Sequence, residues 1–350
     1  DALQRILSAT ESIDMLVAVG APLCIDNQLF NCAIVLSKGK IVGIVPKTYI
    51  PNYNEFYERR WFGSGDTLQT DKIKIGNEEF PFGTNILFKS GKACFAIEIC
   101  EDLWVPVSPS SLHSLAGANI IFNLSATNEL ISKNDYLHEM VKQQSAKCMS
   151  GYVYVSCGFG ESTTDVVFAG NGFITENGKF LSDSKRFSFD EQLIINEIDV
   201  EDLICGRQKM TSFGQNADYM LNMASYQNIE IKLPDYQIKK LTREITHHPF
   251  VPTGQLLDIR CREILNIQIS GLATRLFHTG IKTVTIGVSG GLDSALALFV
   301  CVKAFDKLNI PRDQIIGVTM PGFGTTHLTY NNAINMMTQL DVSIREINIK

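Results

Sequence analysis

No apolar run in this sequence approaches the roughly 18 residues that a membrane-spanning helix needs. The longest candidate, residues 15–25, is short and is broken by Gly20 and Pro22. A basic-then-apolar secretory start is also missing. There is no excess of positive charge: 31 Lys and Arg against 37 Asp and Glu leave a net charge of −6. That balance excludes a broad nucleic-acid surface. The nine cysteines are odd in number and scattered, with no CxxC and no Cys/His ligand cluster. A disulfide framework and a structural zinc site are both excluded, and a cytoplasmic location is expected. The common nucleotide loops are absent too. The Gly-Lys pairs at Gly39, Gly91 and Gly178 lack the following Ser or Thr of GxxxxGK[ST], and no GxGxxG occurs.

What is present is a chain of 350 residues, 45% hydrophobic and 19% charged, long enough for two domains and two cores. Its first part reads as short strands with a few helices. Helical spacing covers residues 1–10, and residues 15–23 read as a buried strand. A hairpin turns at Lys38-Gly39-Lys40, and another turns at Asn177-Gly178. Further strands are expected over 92–100, 118–125 and 152–159, with an amphipathic helix over 134–149. Residues 206–255 read as an irregular connector containing Pro249 and Pro252. Beyond it come a helix ending at Gly280, a strand over 283–288, a glycine turn, a second helix and the strand "IIGVTM". This βαβ order implies a parallel sheet. Asp1 and Lys350 both read as cuts through structure, so the chain is expected to be a piece of a longer protein.

The turn in "TIGVSGGLDSALALFV" places two glycines, two hydroxyls and a carboxylate where a buried strand ends. A strand-turn-helix of this kind aims backbone N–H groups and a positive helix terminus at one spot, which suits an anion. Asp293 would repel bare phosphate, so its presence suggests a bridging Mg²⁺. A lone Gly-Gly is more often an ordinary packing turn, but "SGGLDS" as a unit is more specific. It resembles the pyrophosphate-binding loop of the ATP pyrophosphatase superfamily. "GVTMPGFGTTHLTYNNA" is similar to the NAD synthetases that carry their own glutaminase, although Leu328-Thr329 stand where that family often has an arginine before the threonine. The resemblance implies ATP contacts at Gly287, Val288, Ser289, Gly290, Gly291, Leu292, Asp293, Ser294, Val318 and Met320, with Asp293 as metal ligand.

"AIEICEDLW" puts Cys100 where an apolar strand meets a polar turn. Most cysteines in apolar strands are inert packing. Against that, "PKTYIPNYNEFYERRWF" supplies Lys47, whose ammonium suits a thiolate or an oxyanion. These segments, with "NLSATNELISK" and "GFGESTTDVVFAG", resemble the nitrilase-type amidohydrolases, which use a Glu–Lys–Cys triad. Carried over, Cys100 is the nucleophile, and Lys47 with the Glu101 N–H holds the oxyanion. Glu58 is the supporting second glutamate, with Glu55 the weaker candidate. Tyr53, Thr127 and Lys133 hold glutamine, and Trp104 either walls the pocket or fills core. Lys133 stands where relatives often have arginine, which keeps charge but loses the bidentate grip. The triad's own glutamate is expected upstream of Asp1. Glu11, between a helix and a strand, reads as a solvated residue.

The resemblance implies an αββα four-layer nitrilase-like sandwich over residues 1–205. A doubly wound parallel α/β domain of the adenine nucleotide alpha hydrolase-like kind follows over 256–350. It also implies a homo-oligomer acting on glutamine, ATP and deamido-NAD, with Mg²⁺ accompanying ATP and no tightly bound cofactor, and neither nucleic acid nor membrane as partner. Two rivals remain open at this point: another glutamine-fed ligase of the same superfamily, and a non-catalytic assembly module that keeps the fold.

Overall fold

The computed structural model describes residues 2–68, 70–161, 166–221, 225–234, 236–251 and 254–349. Residues 162–165 of "GFGESTTDVVFAG", Pro252, Asp1 and Lys350 lie outside them. The chain divides into two compact units, Asp1–Glu244 and Ile245–Lys350.

The first unit stacks two sheets. After helix α1 (Ala2–Thr10), strands β1 (Leu16–Ile25), β2 (Gln28–Ser37) and β3 (Lys40–Pro46) form an antiparallel meander, and β4 (Phe62–Gly63) pairs parallel with β2. The hairpin β5 (Lys72–Ile75) and β6 (Glu78–Pro81) stands beside it. The second sheet takes β7 (Ile86–Ser90), β8 (Ala93–Ile99), β9 (Ile120–Ser125), β10 (Gly151–Ser156), β11 (Gly172–Glu176), β12 (Lys179–Asp183) and β13 (Gln227–Glu230). Its order is β12-β11-β10-β9-β8-β7-β13, with β8, β9 and β10 parallel. Helices α2 (Pro109–Leu115) and α3 (Lys133–Cys148) supply the crossovers between those parallel strands.

Three apolar layers hold this stack together. Ala33, Val35 and Val45 from the first sheet meet Ile86, Phe88, Phe95, Ile97 and Ile99 from the second. Leu3, Ile6 and Leu7 of α1 cover the outer face of the first sheet on Ile34 and Leu36. Leu137 and Val141 of α3 cover the outer face of the second on Tyr152, Tyr154 and Phe173. The layers therefore run helix, sheet, sheet, helix, as the αββα expectation has it. Strand β2 is buried on both faces from Cys32 to Leu36, which is why it reads as a continuous apolar run rather than an alternating one. Ile34, Val35 and Leu36 each contribute about 1.5–3 kcal/mol by leaving water.

Two details depart from the sequence reading. Residues 15–23 were expected to form a buried strand, but β1 is the edge of its sheet and its second half alternates with solvent. The stretch 206–255 is not simply irregular. Helix α4 (Val200–Lys209) crosses its start and α5 (Thr211–Leu221) follows. Arg207 donates to the carbonyls of Met149, Ser114, Ala118 and Cys148. Strand β13 then pairs parallel with β7. A four-residue edge strand, "QNIE", carries too little apolar pattern to be seen in advance.

In the second unit, α6 (Leu257–Thr279) leads to the parallel strands β14 (Val284–Gly287), β15 (Ile315–Thr319) and β16 (Ser343–Glu346), in that spatial order. Helices α7 (Leu292–Leu308) and α8 (His327–Gln339) connect them. Leu276, Leu298, Val302, Phe305, Ala333 and Met337 gather on Ile315 as one core. Gly280, at φ +69°, ends α6 in the left-handed conformation that glycine adopts freely. The expected strand, glycine turn, helix and strand are all present.

Candidate active sites

A cleft of about 1120 Å³ opens at the C-terminal ends of β8, β9 and β10. Lys47 and Cys100 reach it by the same device. Each is the first residue after a strand, β3 of one sheet and β8 of the other. Cys100 begins a short 3₁₀ turn with φ +48°, a left-handed conformation that costs a side-chain-bearing residue free energy. Its N–H donates to Asn123 Oδ1 at 3.2 Å, and its Sγ lies 3.8 Å from Thr127 Oγ1.

Lys47 is 2% exposed and bonds Glu58 Oε2 at 2.5 Å, while Asn31 Nδ2 donates to the other Glu58 oxygen at 2.8 Å. Of the two glutamates considered for the supporting role, Glu58 is the one that pairs with Lys47. Glu55 turns elsewhere: it accepts from Asn128 Nδ2, and Lys133 donates to Asn128 Oδ1, both at 2.6 Å. Lys133 also lies over the Trp104 and Phe56 rings, at 5.3 and 5.6 Å from their centroids. Burial holds its ammonium below the usual lysine range, against the pull of Glu55 and other acids. Trp104 lines the cleft.

Tyr53 Oη lies 2.9 Å from both Glu101 carboxylate oxygens. Burial raises the Glu101 carboxyl, while Tyr53 and Lys47 pull it down. Thr127 is buried and receives the Tyr154 hydroxyl at 2.6 Å. Every residue carried over for the cysteine site therefore borders this one cleft. Among the described residues no carboxylate hydrogen-bonds the thiol, since Glu55, Glu58 and Glu101 are engaged as above. Glu11 is exposed on the turn after α1, against the hairpin turn at Gly39.

Sequence reading missed the supporting polar residues Asn31, Asp102, Asn123, Asn128 and Tyr154. A signal existed for two of them. Asn31 and Asn123 interrupt otherwise apolar strands, one half-buried and the other fully buried, and an amide persists there only with its hydrogen bonds made.

The second candidate site lies in the other unit. Val288 N donates to Val318 O at 2.8 Å, joining the exit of β14 to β15. The turn that follows closes on its own hydroxyls. Ser289 and Ser294 Oγ stand 3.2 Å apart, and Ser294 Oγ donates to Gly291 O at 3.0 Å. Gly290 has φ +82°, and a Cβ there would meet Thr329 O at 1.9 Å. That glycine is required by the fold itself. Gly291, the N-cap of α7, has only Ser289 Oγ near a hypothetical Cβ, at 3.6 Å. It leaves open the approach that Gly290 closes. Asp293 is exposed in the first turn of α7, Leu292 is 89% exposed, Met320 is exposed and Val318 half-buried.

Residues 1–208 match the carbon-nitrogen hydrolase family, and residues 264–350 match NAD synthase. A glutamine-dependent NAD(+) synthetase of Mycobacterium bovis is 40% identical over 97% of this chain and 51% of its own length. The one from Thermotoga maritima is 28% identical over 97% of this chain and 53% of its own. This chain thus spans about half the length of these relatives. A carbon-nitrogen hydrolase from Helicobacter pylori superposes with a TM-score of 0.50 at 17% identity, over 65% of this chain and 77% of that one, which supports the sandwich fold. With the cleft of the first unit and the glycine turn of the second both in place, the chain belongs to the carbon-nitrogen hydrolase family, with an NAD synthase segment behind it.

Proposed function

We propose that the protein is a glutamine-dependent NAD synthetase whose first unit releases ammonia from glutamine and whose second unit takes part in ATP-driven amidation of deamido-NAD. The observation that carries the reading is the meeting of Cys100, on its left-handed turn, with the buried Lys47–Glu58 pair in one cleft. Cys100 Sγ attacks the side-chain carboxamide carbon of glutamine. The developing oxyanion lies against Lys47 and the Glu101 N–H, and ammonia leaves as the γ-glutamyl thioester forms. Water then frees glutamate. Lys133, Tyr53 and Thr127 orient the substrate, with Lys133 attracting the α-carboxylate.

In the second unit, the backbone from Gly287 to Ser294 holds the phosphates of ATP, with Val318 and Met320 beside the adenine. Among the described residues no three metal-ligating side chains converge. A Mg²⁺ held by one carboxylate and substrate phosphates needs no such cluster. Asp293, exposed at the turn, fits that role, and the ion would neutralise phosphate charge as pyrophosphate departs. Ammonia displaces AMP from the adenylated carboxylate. The reading extends to a cytoplasmic homo-oligomer.

The test is Cys100→Ala in the intact protein. It should lose NAD synthesis from glutamine yet keep synthesis from ammonium salts, increasingly as pH rises, because only NH₃ carries the attacking lone pair. Equal loss with both nitrogen sources in a folded variant would make Cys100 structural and end the reading.

A further inference from the structure

Asp102 lies two residues beyond the thiol and is 2% exposed. Its two carboxylate oxygens accept from two different segments. Oδ2 takes the Ile99 N–H at 2.9 Å, and Oδ1 takes the Tyr49 N–H at 2.8 Å. Ile99 is the residue before Cys100, and Tyr49 is two residues after Lys47. One carboxylate therefore ties the exit of β8 to the exit of β3, across the two sheets.

The turn is anchored on its other side as well. Asn123 Oδ1 accepts the N–H of Cys100 itself, and Asn123 Nδ2 donates to the Tyr152 hydroxyl at 3.1 Å, with Asn123 and Tyr152 both fully buried. Two successive N–H groups at a strained residue thus end on buried side chains of fixed position. The main-chain groups around Lys47 are fixed in the same manner. Lys47 N donates to Asn31 O, Gly65 N donates to Lys47 O, and Ser64 Oγ donates to Thr48 O. Tyr49 N is the next group in that series, and Asp102 receives it.

A buried carboxylate is costly unless its oxygens are hydrogen-bonded, and both oxygens of Asp102 are. Burial pushes the Asp102 carboxyl up to about 7, against the two N–H bonds and Lys47. Its folded-state value lies above its unfolded one, so the associated stability is present at low pH and is lost as pH rises through about 7. Two acceptors in one plane, reaching two strands, are what the site gains.

We propose that Asp102 is a positioning residue that sets the Cys100 turn against the Lys47 segment. The role rests on the glutaminase reading above. Asparagine keeps the shape but turns one acceptor into a donor that faces a main-chain N–H.

The experiment compares Asp102→Asn with the wild type in the intact protein. Glutamine hydrolysis, ammonium-driven NAD synthesis, the thermal unfolding midpoint and the rate of Cys100 alkylation by iodoacetamide are measured. The expected result is a kcat for glutamine lower on the order of 100-fold, as displacement of a reacting group by about 1 Å produces. KM should stay within about twofold, because Tyr53, Thr127 and Lys133 are untouched. Alkylation should slow and ammonium-driven synthesis should persist. If Asp102→Asn does not fold, Asp102→Glu keeps the acceptors but moves them by one methylene, and the same selective loss of kcat is expected. Unchanged kcat and alkylation in a folded variant overturn the proposal. Failure of both variants to fold also overturns it, since the residue would then be structural. If the wild type hydrolyses no glutamine, the functional reading fails, and the alkylation rates still decide whether Asp102 sets Cys100.

Discussion

The two candidate sites are assembled in opposite ways. The glycine turn is one contiguous run, Ser289 to Ser294, exposed and closed by its own hydroxyls. The cysteine cleft draws on the exits of β3, β8 and β9, residues up to 86 positions apart between Lys47 and Lys133, with Lys47 and Thr127 buried and Cys100 half-buried. A contiguous site transmits its chemistry through backbone N–H groups, so its side chains near the ligand are small. A dispersed one fixes each side chain with a partner from another element, so substitutions of the partners should be felt in the chemistry.

The largest expected effect tests the dispersed site. Lys47→Met in the intact protein removes the buried ammonium proposed as oxyanion donor and leaves Glu58 with Asn31 as its remaining side-chain partner. Glutamine kcat should fall roughly 10²–10³-fold, while ammonium-driven synthesis is unchanged. A similar fall in the ammonium reaction would mean that the cleft is not a separate half-site.

The next contrast sits inside the contiguous site. Gly290→Ala combines a left-handed backbone with a Cβ pressed on Thr329 O, so the second unit should lose about 3 kcal/mol or more. Gly291→Ala meets no such wall and should cost far less, about 1 kcal/mol for alanine at the N-cap of α7. It should instead weaken ATP–pyrophosphate exchange by narrowing the approach to the phosphates. If Gly291→Ala proved the more destabilising member, the division between a fold glycine and a ligand glycine would be wrong.

This contrast also explains what could be read from sequence. The turn was legible because six consecutive residues carry it, and the β14-turn-α7 context followed from the apolar pattern on either side. Cys100, Lys47 and Glu58 were reached through resemblance, and their convergence needed the sheet order that brings β3 and β8 exits together. Glu58 was ranked above Glu55 by its match to the family pattern, and coordinates added which partner each takes, Lys47 for Glu58 and Asn128 for Glu55. Asp102 was hidden for another reason: an acid after a cysteine turn looks solvated until two main-chain N–H groups are seen to surround it. Strand β13 stayed invisible because a short edge strand has half its positions in solvent.

A pH effect separates the two units further. His113, in α2, is fully buried with Nδ1 3.0 Å from the Tyr226 hydroxyl, and burial pushes its imidazole down to about 4. The unfolded chain therefore binds a proton between pH 6.5 and about 4 that the folded one does not. The His113 contribution to first-unit stability should fall as pH drops through that window, by about 3 kcal/mol, against the opposite slope of Asp102. Urea unfolding at pH 7, 5 and 4, followed by first-unit fluorescence at Trp61 and Trp104, measures it. The difference between the wild type and His113→Gln isolates this group: the variant should lose less stability, or gain more, from pH 7 to 4, and equal changes in both would remove His113 from the acid response.

The smallest effect divides the cleft itself. Asn128 is buried and links Glu55 to Lys133, yet it has no bond to Cys100 or Lys47. Asn128→Ala leaves Lys133 over Trp104 and Phe56, so the charge stays near the substrate but loses its fixed direction. Glu55 is half-buried and can recover water, which limits the cost to the fold. The expected change is a KM for glutamine raised about tenfold, equivalent to about 1.4 kcal/mol of binding, with kcat retained. That pattern would separate a substrate-gripping end, set by Glu55, Asn128 and Lys133, from a reacting end, set by Cys100, Lys47 and Glu58. Steady-state kinetics on the intact protein decide it. A fall in kcat as deep as that of Lys47→Met would mean that the two ends move together, and that the dispersed site acts as one rigid network.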